Sequence, residues 1–463
     1  MAKLCSVGLD VGTTTTQLIV SQLQVENRAG AFSVPEMVIT GREILYESPV
    51  HFTPLLDENH VDGEKIRAIV EQEYSQAGIT RHSVDTGAII ITGETSRKEN
   101  ARTVLNALAD FAGEFVVATA GPDLESILAA RGAGAVDYSA KTGKQVLHMD
   151  IGGGTSNLCL IEDGRIVRTG CLNVGGRLVK LENGIVQYVS PVLKELTDIR
   201  LGTALQPEQL EQLTKLLTSA LEMAAGYREP TELLAQLWTK EGTHHYTEMR
   251  NFAPRDARDL VISFSGGVAD CIDNAHPDAA FGDIGPALGR AIRHSRLCQG
   301  EYILGRHTIR ATVIGAGCHS TQLSGSTVFH QNIHFPLKNL PVITISDPIP
   351  HLLQSQIAAQ DSTAVLALHC APAADYTQIQ ALADTLAQCI PAGPVYLTTC
   401  FDMAKALGQA LALRLGSERP ILCLDRLSPQ EGSFLDIGEP IGPTFPVVIK
   451  TLILANHLSP QGG

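Results

Sequence analysis

VLHMDIGGGTSN, at residues 146–157, sets the pattern that the rest of the chain follows. Its mostly apolar first residues predict a buried strand that carries Asp150 at its tip. Three glycines then allow a tight turn whose N–H groups can approach a ligand closely, and a second strand is predicted over 158–161. A carboxylate beside such amide donors suits a metal-bound polyphosphate, with Mg²⁺ held through water. For this stretch alone, an ordinary glycine-rich hairpin is the alternative.

The N-terminal segment repeats this pattern. Residues 6–20, SVGLDVGTTTTQLIV, again place an aspartate (Asp10), a glycine (Gly12) and a run of hydroxyl residues between two apolar strands. Two such hairpins facing each other would hold a phosphate tail from both sides, and each would contribute one carboxylate to the metal. A threonine run alone is typical of a solvated loop, but two matched runs after matched aspartates favour a phosphate site. We therefore predict that Asp10 and Asp150 are the metal-holding and catalytic carboxylates.

A third segment, DLVISFSGGVAD at 259–270, predicts a strand that ends in Ser-Gly-Gly before a helix. Glycines at a strand-to-helix turn allow a flat base or ribose to approach the backbone, so this turn is the predicted adenosine pocket. The stretch ATVIGAGC at 311–318 predicts a second strand-to-glycine turn. It is the weaker candidate for the base, because a lone Gly-x-Gly is poorly specific.

Taken in order, these three segments resemble the phosphate-1, phosphate-2 and adenosine motifs of the ATPase superfamily that contains acetate kinase, actin and the DnaK-type chaperones. The resemblance implies an α/β protein with the actin/DnaK-like ATPase fold, built from two RNase H-like lobes. It also implies ATP and Mg²⁺ as ligands. The nucleotide-binding residues that it implies are Gly12, Thr13, Thr14, Thr15, Gly152, Gly153, Gly154, Thr155, Ser265, Gly266 and Gly267.

The motifs leave open which acid orients the attacking water. A helix is predicted over 123–132, and in the superfamily the start of this helix often supplies that acid. DnaK-type chaperones carry glutamate before the proline, where this chain has Gly121. Asp123 or Glu125 could substitute, although helix capping is the competing role of Asp123. This departure predicts slow hydrolysis.

Composition excludes several classes of function. A net charge of −14 disfavours nucleic acid as a partner. The chain has 44% hydrophobic and 18% charged residues, a balance typical of folded globular proteins. Its 10 cysteines show no CxxC or zinc-type spacing, which predicts buried thiols in a reducing compartment. A strand is predicted within a few residues of Met1, and no apolar run approaches the ~20 residues that span a bilayer, so we expect a cytoplasmic protein without a membrane partner.

Three domains are predicted along the 463 residues. They are a first ATPase lobe at 1–140, a second ATPase lobe at 141–338, and a C-terminal α/β module at 339–463. In the C-terminal module, predicted strands at 363–369, 395–399 and 420–424 alternate with predicted helices at 376–389 and 402–416. This alternation favours parallel pairing. The module contains no chemical motif of its own, which indicates a scaffold or a partner-docking role.

Over its whole length the chain also resembles the ethanolamine ammonia-lyase reactivating factors, the EutA family. The resemblance lies in GLDVGTTTTQ, MDIGGGTSN, FSGGVAD and the long C-terminal extension. It implies a chaperone-like ATPase, in which ATP and Mg²⁺ drive the release of damaged cobalamin from the adenosylcobalamin-dependent lyase so that intact cofactor can bind. The lyase is then the partner. Self-association, a small second subunit and entry into a bacterial microcompartment stay open.

Three other functions are compatible with the ATPase motifs. A small-molecule kinase of the same superfamily would need an acceptor pocket with a catalytic base, and the sequence indicates no clear base. The C-terminal module argues against a filament-forming actin-like ATPase. An ATP-dependent hydantoinase-type hydrolase shares the same Gly-Thr pattern.

Overall fold

The structure is a computed structural model. It describes residues 2–451 with the exception of 13–14, 30–34, 58–59, 93–94, 96–97, 113–115, 120–121, 240–251, 253, 255–258, 306–307, 347–349, 351–363, 370–374 and 430–432. Thr13 and Thr14, which the sequence places in the phosphate site, and Gly121 therefore lie outside the described residues. Within the described ranges, no helix combines the length and the apolar character needed to cross a membrane.

The secondary structure alternates between strands and helices along most of the chain. The strands are β1 (Ala2–Val11), β2 (Thr15–Asn27), β3 (Met37–Glu47), β4 (His51–Phe52), β5 (Thr86–Ile91), β6 (Val116–Thr119), β7 (Val146–Ile151), β8 (Ser156–Glu162), β9 (Arg165–Leu172), β10 (Val179–Glu182), β11 (Ile185–Val189), β12 (Val261–Ser265), β13 (Tyr302–Leu304), β14 (Thr321–Leu323), β15 (Phe329–Gln331), β16 (Leu337–Ile345), β17 (Val365–Leu368), β18 (Val395–Thr399), β19 (Ile421–Leu424), β20 (Ser433–Ile437) and β21 (Pro446–Thr451). The helices are α1 (Gly63–Ala77), α2 (Ala101–Ala112), α3 (Pro122–Gly132), α4 (Ala135–Thr142), α5 (Pro207–Ala224), α6 (Glu232–Leu237), α7 (Asp270–Asp273), α8 (Gly285–Arg293), α9 (Ala311–His319), α10 (Tyr376–Cys389) and α11 (Ala404–Leu415).

The first sheet has the strand order β3-β2-β1-β5-β6, with the short β4 paired to β2. β1 and β2 form the predicted antiparallel hairpin, whereas β5 runs parallel to β1. Helix α1 begins where the Asp62 side chain accepts a hydrogen bond from the Lys65 N–H, and it ends at Gly78, whose φ of 67° is left-handed. α1 and α2 bury apolar side chains such as Ile66 and Leu108 against one face of this sheet.

The second sheet repeats the topology of the first. Its order is β9-β8-β7-β12-β13, in which β7 and β8 form the antiparallel hairpin that carries Asp150 and β12 runs parallel to β7. The two sheets therefore have the same strand order once the short β4 and the separate β10–β11 pair are left aside: three antiparallel strands in reverse chain order, followed by two parallel strands. This arrangement is the RNase H-like unit, so the chain contains two such lobes, as predicted.

Strand β7 alternates between two environments because successive side chains point to opposite faces. Leu147, Met149 and Ile151 enter the main core of the second lobe, together with side chains of α5 and α8. Helix α5 begins with Pro207 at its first turn and buries Leu213, Leu217 and Leu221. His148 and Asp150 lie on the opposite face of β7.

Helices α3 and α9 cross between the two lobes. A Cβ atom on Gly132 would lie 1.9 Å from the Ala311 oxygen, and one on Gly315 would lie 2.1 Å from the Leu128 oxygen, so the two backbones touch at their glycines. Val313 of α9 packs against Ile19 of β2, so α9 lies on the first sheet. The predicted strand-to-glycine turn at 311–318 is therefore wrong. This segment is a helix, and its glycines allow close packing against another helix. A short apolar run with glycines in the sequence is compatible with either a strand end or such a helix.

The third sheet has eight strands in the order β14-β21-β20-β16-β17-β18-β19-β15. β16 to β19 are parallel, as the alternation of strands and helices predicts, and α10 and α11 cover one face. The predicted helix at 376–389 and the predicted strand at 395–399 coincide with α10 and β18. The domain limits stay a prediction, and three strands of this sheet (β14, β15 and β16) begin before residue 339.

We predict that Gly315→Ala destabilises the protein by about 2 kcal/mol or more, because the new methyl group must push α3 away from α9. Thermal or denaturant unfolding of the full chain measures this loss. Gly300→Ala is the matched control, since a Cβ atom there meets nothing within 4 Å. Equal stability of the two variants would contradict the close crossing.

Candidate functional site

The two aspartate hairpins end in the same turn. In the first, the Gly12 N–H donates to the Thr15 oxygen at 2.9 Å, and in the second the Gly152 N–H donates to the Thr155 oxygen at 2.9 Å. In both, the glycine follows the aspartate by two residues and the threonine follows it by five. The turns that carry Asp10 and Asp150 are therefore structural equivalents in the two lobes.

Neighbouring backbone holds the Asp150 turn from one side. The Gly176 N–H donates to the Gly152 oxygen at 3.0 Å, and the Arg177 N–H donates to the Gly153 oxygen at 2.7 Å. Among the residues that the structure describes, none accepts a hydrogen bond from the N–H groups of Gly153 and Gly154. The turn thus directs its carbonyl groups into the protein and leaves amide donors for an anion.

An ion pair fixes the loop behind this turn, and the sequence analysis did not identify it. Arg177 Nε lies 3.1 Å from Asp283 Oδ2, and Asp283 Oδ1 accepts a hydrogen bond from the Gly285 N–H at the start of α8. The loop that carries Gly176 is thereby connected to α8. The sequence contained no local signal for this pair, because its members are separated by more than a hundred residues.

The two carboxylates are costly to ionise where they lie. Asp10 accepts a hydrogen bond from Thr92 Oγ1 at 2.9 Å. Burial raises the pKa of Asp10 to about 7, while the Thr92 hydrogen bond lowers it and the negative charge of Asp150 raises it further. Burial also raises the pKa of Asp150, although hydrogen bonds from Ser265 and Thr312 oppose this shift. Asp10 thus lies close enough to Asp150 to be affected by its charge, which indicates that the two aspartates belong to one site.

Two carboxamides complete the site, and the sequence analysis missed them. Gln17 is paired across the hairpin with Asp10, and Asn157 is paired with Asp150. Gln17 Oε1 and Asn157 Oδ1 are both buried without a hydrogen-bond partner among the described residues. Each residue follows its aspartate by seven positions, and this repeated spacing in the sequence could have identified both of them.

The donor set fits a hydrated divalent cation. Two carboxyl groups with raised pKa values and two amide oxygens without a hydrogen-bond partner among the described residues form an oxygen-rich site. Within the described ranges, no group of three or more His, Cys, Asp or Glu side chains could enclose a metal.

The Ser-Gly-Gly turn follows β12 as predicted, although the helix after it, α7, has only four residues. Gly266 has a φ of 87°, and a Cβ atom on it would lie 2.3 Å from the Ile151 oxygen, so only glycine allows this approach to the end of β7. A Cβ atom on Gly267 would meet nothing within 4 Å, so this position borders open space. The Ser265 side chain is buried and contacts His148 and Asp150.

The candidate water-orienting acids lie at the start of α3. Asp123 is buried and accepts a hydrogen bond from Thr169 Oγ1 of β9 at 2.9 Å. This contact joins α3 to the second sheet. Glu125 is partly buried on the same helix. Whether Asp123 or Glu125 orients water stays a prediction.

The fold and the site define a two-lobed α/β protein of the actin-like ATPase class, with one aspartate hairpin in each lobe. The chain belongs to the EutA family, because the model of the family described as "Ethanolamine utilisation protein EutA" matches residues 2–455. It is 38% identical to the ethanolamine ammonia-lyase reactivase EutA of Salmonella typhimurium over 97% of this chain and 98% of the relative. It is 37% identical to the protein of the same name from Escherichia coli, with the same coverage. A solved Ppx/GppA family structure from Aquifex aeolicus matches 68% of this chain and 97% of its own, at 12% identity and a TM-score of 0.40.

We predict that Asp10→Asn stabilises the metal-free protein at pH 8 by about 1–3 kcal/mol. The folded-state pKa of Asp10 is raised to about 7, so the folded protein binds this proton more tightly than the unfolded chain does. The stability that this group contributes is thus present at low pH and is lost as the pH rises from about 4 to about 7.

Denaturant unfolding in a chelator at pH 5 and pH 8 measures this effect. The advantage of Asp10→Asn should be larger at pH 8 than at pH 5. Asp163→Asn, in an exposed turn with a φ of 48°, is the control. A loss of stability in Asp10→Asn at pH 8 would show that the carboxylate does not carry this cost.

Proposed function

We propose that this protein is an ATP-dependent, chaperone-like reactivase that releases damaged cobalamin from adenosylcobalamin-dependent ethanolamine ammonia-lyase, so that intact cofactor can bind. The observation that carries the ATP-dependent part is the pair of equivalent turns with the coupled carboxylates Asp10 and Asp150. The lyase as the partner rests on membership of the EutA family and on the names of the two relatives.

In this proposal, Asp10 and Asp150 hold the water shell of the cation from opposite lobes. Mg²⁺ supplies neutralisation of charge at the transferred phosphoryl group when it is bound. The amide groups of Gly153, Gly154 and Thr155 bind phosphate oxygens from one side, and Gly12 with Thr15 lies on the other. Gly266 and Gly267 border the adenosine. Thr13 and Thr14, which lie outside the described residues, are proposed as further phosphate ligands.

The helix crossing connects this site to lobe movement. Thr312, at the start of α9, donates to Asp150 Oδ2 at 3.4 Å, and the Gln17 side chain donates to the Ile309 oxygen at 3.2 Å. The segment that enters α9 therefore contacts both hairpins. Loss of the γ-phosphate would change which contacts hold the lobes together and would shift an open–closed equilibrium.

The third sheet is the proposed docking module. β14 follows α9 after one residue, and Thr321 at its start shares a hydrogen bond of 2.6 Å with Thr86 of β5. Arg426, in this module, forms an ion pair of 3.1 Å with Glu36 of the first lobe. A movement of α9 would thus reach the third sheet directly. We place the protein in the cytoplasm; association with a microcompartment and self-association are left to experiment.

We predict that Asp10→Asn and Asp150→Asn each lower ATP-dependent reactivation by at least ~100-fold, because each removes one of the two charges that hold the cation. The assay uses ethanolamine ammonia-lyase inactivated by bound cyanocobalamin, to which this protein, Mg²⁺, ATP and fresh adenosylcobalamin are added. Recovery of ammonia-lyase activity is the measurement.

Gly300→Ala, remote from the hairpins and without a steric clash, should reactivate the lyase as the wild type does. If the wild type hydrolyses ATP but restores no lyase activity, the reactivase is excluded and the phosphoryl acceptor of a small-molecule kinase should be sought. If ATP is neither bound nor hydrolysed, the nucleotide site itself is excluded.

A further inference from the structure

A column of four polar side chains, which ends at the Asp150 carboxylate, lies on the adjacent strands β7 and β12. Ser263 Oγ lies 3.0 Å from His148 Nδ1, and His148 Nε2 lies 3.0 Å from Ser265 Oγ. Ser265 Oγ in turn contacts Asp150 Oδ1. All four residues are buried, and His148 and Ser265 are 0% exposed. The column is therefore isolated from water except at its carboxylate end.

The regular alternation of the strands produces this column. Residues 146, 148 and 150 of β7 share one face, and residues 261, 263 and 265 of β12 share the same face beside them, since Ser263 is in register with His148 and Ser265 with Asp150. The opposite faces of both strands are apolar and enter the main core. Burying three uncharged polar side chains in a core strand stabilises little, because each hydrogen bond only offsets the loss of water. This suggests that their role concerns the carboxylate.

The carboxylate determines the direction of every hydrogen bond in the column. An ionised carboxylate only accepts, so the Ser265 hydroxyl must donate its single proton to Asp150. Ser265 Oγ can then only accept from His148, which requires a proton on His148 Nε2. In the neutral ring protonated at Nε2, Nδ1 is left to accept a hydrogen bond from the Ser263 hydroxyl, whose oxygen lies 3.0 Å away. One tautomer of His148 satisfies the whole column.

We propose that His148 and Ser263 are positioning residues for Asp150: they orient the Ser265 hydroxyl so that it donates to Asp150 Oδ1 and holds the carboxylate in one rotamer. Oδ2 is the less engaged oxygen, with Thr312 Oγ1 at 3.4 Å as its partner among the described residues. Oδ2 is therefore the oxygen offered to the cation. The inference rests on the proposed function of Asp150, and it assigns Ser265 a role behind the carboxylate.

The first lobe supports its aspartate differently. Asp10 Oδ1 accepts from Thr92, a residue that follows the end of β5, and Ala88 and Ile90 of β5 provide no polar side chain behind it. The polar column thus belongs to one of the two equivalent hairpins. This asymmetry makes Asp150 the fixed carboxylate of the pair, because its partner Ser265 is itself held by His148.

The test measures magnesium-dependent binding of ATP to full-length variants by calorimetry. We expect His148→Leu, which has no donor, to weaken this binding about tenfold. Ser265→Ala should weaken it at least as much, and the double variant should be no weaker than Ser265→Ala alone, because both changes break the same column. His148→Gln can still donate a proton to Ser265 and should stay within about threefold of the wild type.

Val146→Ala is the matched control, since it shortens a buried side chain on the same strand and face without touching the column. It should lower thermal stability and leave magnesium-dependent affinity unchanged. Equal loss of affinity in Val146→Ala and His148→Leu would reduce His148 to a packing residue and overturn the proposal. If the wild type itself binds no ATP with Mg²⁺, the proposed function fails instead.

A second measurement does not depend on nucleotide. The ¹⁵N-histidine NMR spectrum of the wild type, assigned by comparison with His148→Gln, should show His148 as the neutral tautomer protonated at Nε2. Ser263→Ala should shift the Nδ1 resonance by removing its donor. A tautomer protonated at Nδ1 would overturn the inferred direction of the column.

Discussion

Two like charges that share one site, without an ion-pair partner among the residues that the structure describes, are the central constraint of this molecule. Asp10 and Asp150 lie at the tips of equivalent strands, where removal from water raises the pKa of both carboxyl groups and the charge of Asp150 raises the pKa of Asp10 further. Buried charges of one sign persist only where a partner of the opposite sign arrives. The amide oxygens of Gln17 and Asn157, which have no hydrogen-bond partner among the described residues, add negative partial charge to the same site. These features are the basis on which we propose that the site binds a cation and, through its free amide groups, the phosphates that accompany it.

The rest of the fold brings the two carboxylates together. Each lobe presents its aspartate on the first strand of an RNase H-like sheet, where a hairpin on one side and a parallel strand on the other leave little freedom. The lobes meet where α3 and α9 cross at glycines, so the backbone carbonyl of one helix occupies the space that a side chain of the other would need. Helix α9 also contacts Asp150 through Thr312 and is followed after one residue by β14 of the third sheet.

The same arrangement connects stability with ligand binding. A protein that holds two repelling carboxylates is less stable without its ligand than its core would allow, and a ligand that binds the folded state recovers this loss. In our proposal, the polar column behind Asp150 keeps this carboxylate in place while no ligand is bound. His148 and its serine neighbours replace apolar side chains in a buried strand, and their hydrogen bonds end at the group whose geometry matters.

Local sequence was sufficient for the elements whose signals lie within a few residues. The two aspartate hairpins and the α10–β18 pair follow from apolar periodicity and glycine turns, and the structure places them where these signals predict. The 311–318 segment failed because glycines in an apolar run can serve either a turn or a close helix crossing, and only the partner helix decides. Gln17, Asn157, the Arg177–Asp283 pair and the column through His148 depend on strand register and on residues far apart in the chain. Sequence therefore specified which side chains end each strand. The pairing of β7 with β12 and the meeting of the two lobes decided which of these side chains share a site, because hydrogen bonds and interactions between charges depend on distance in space.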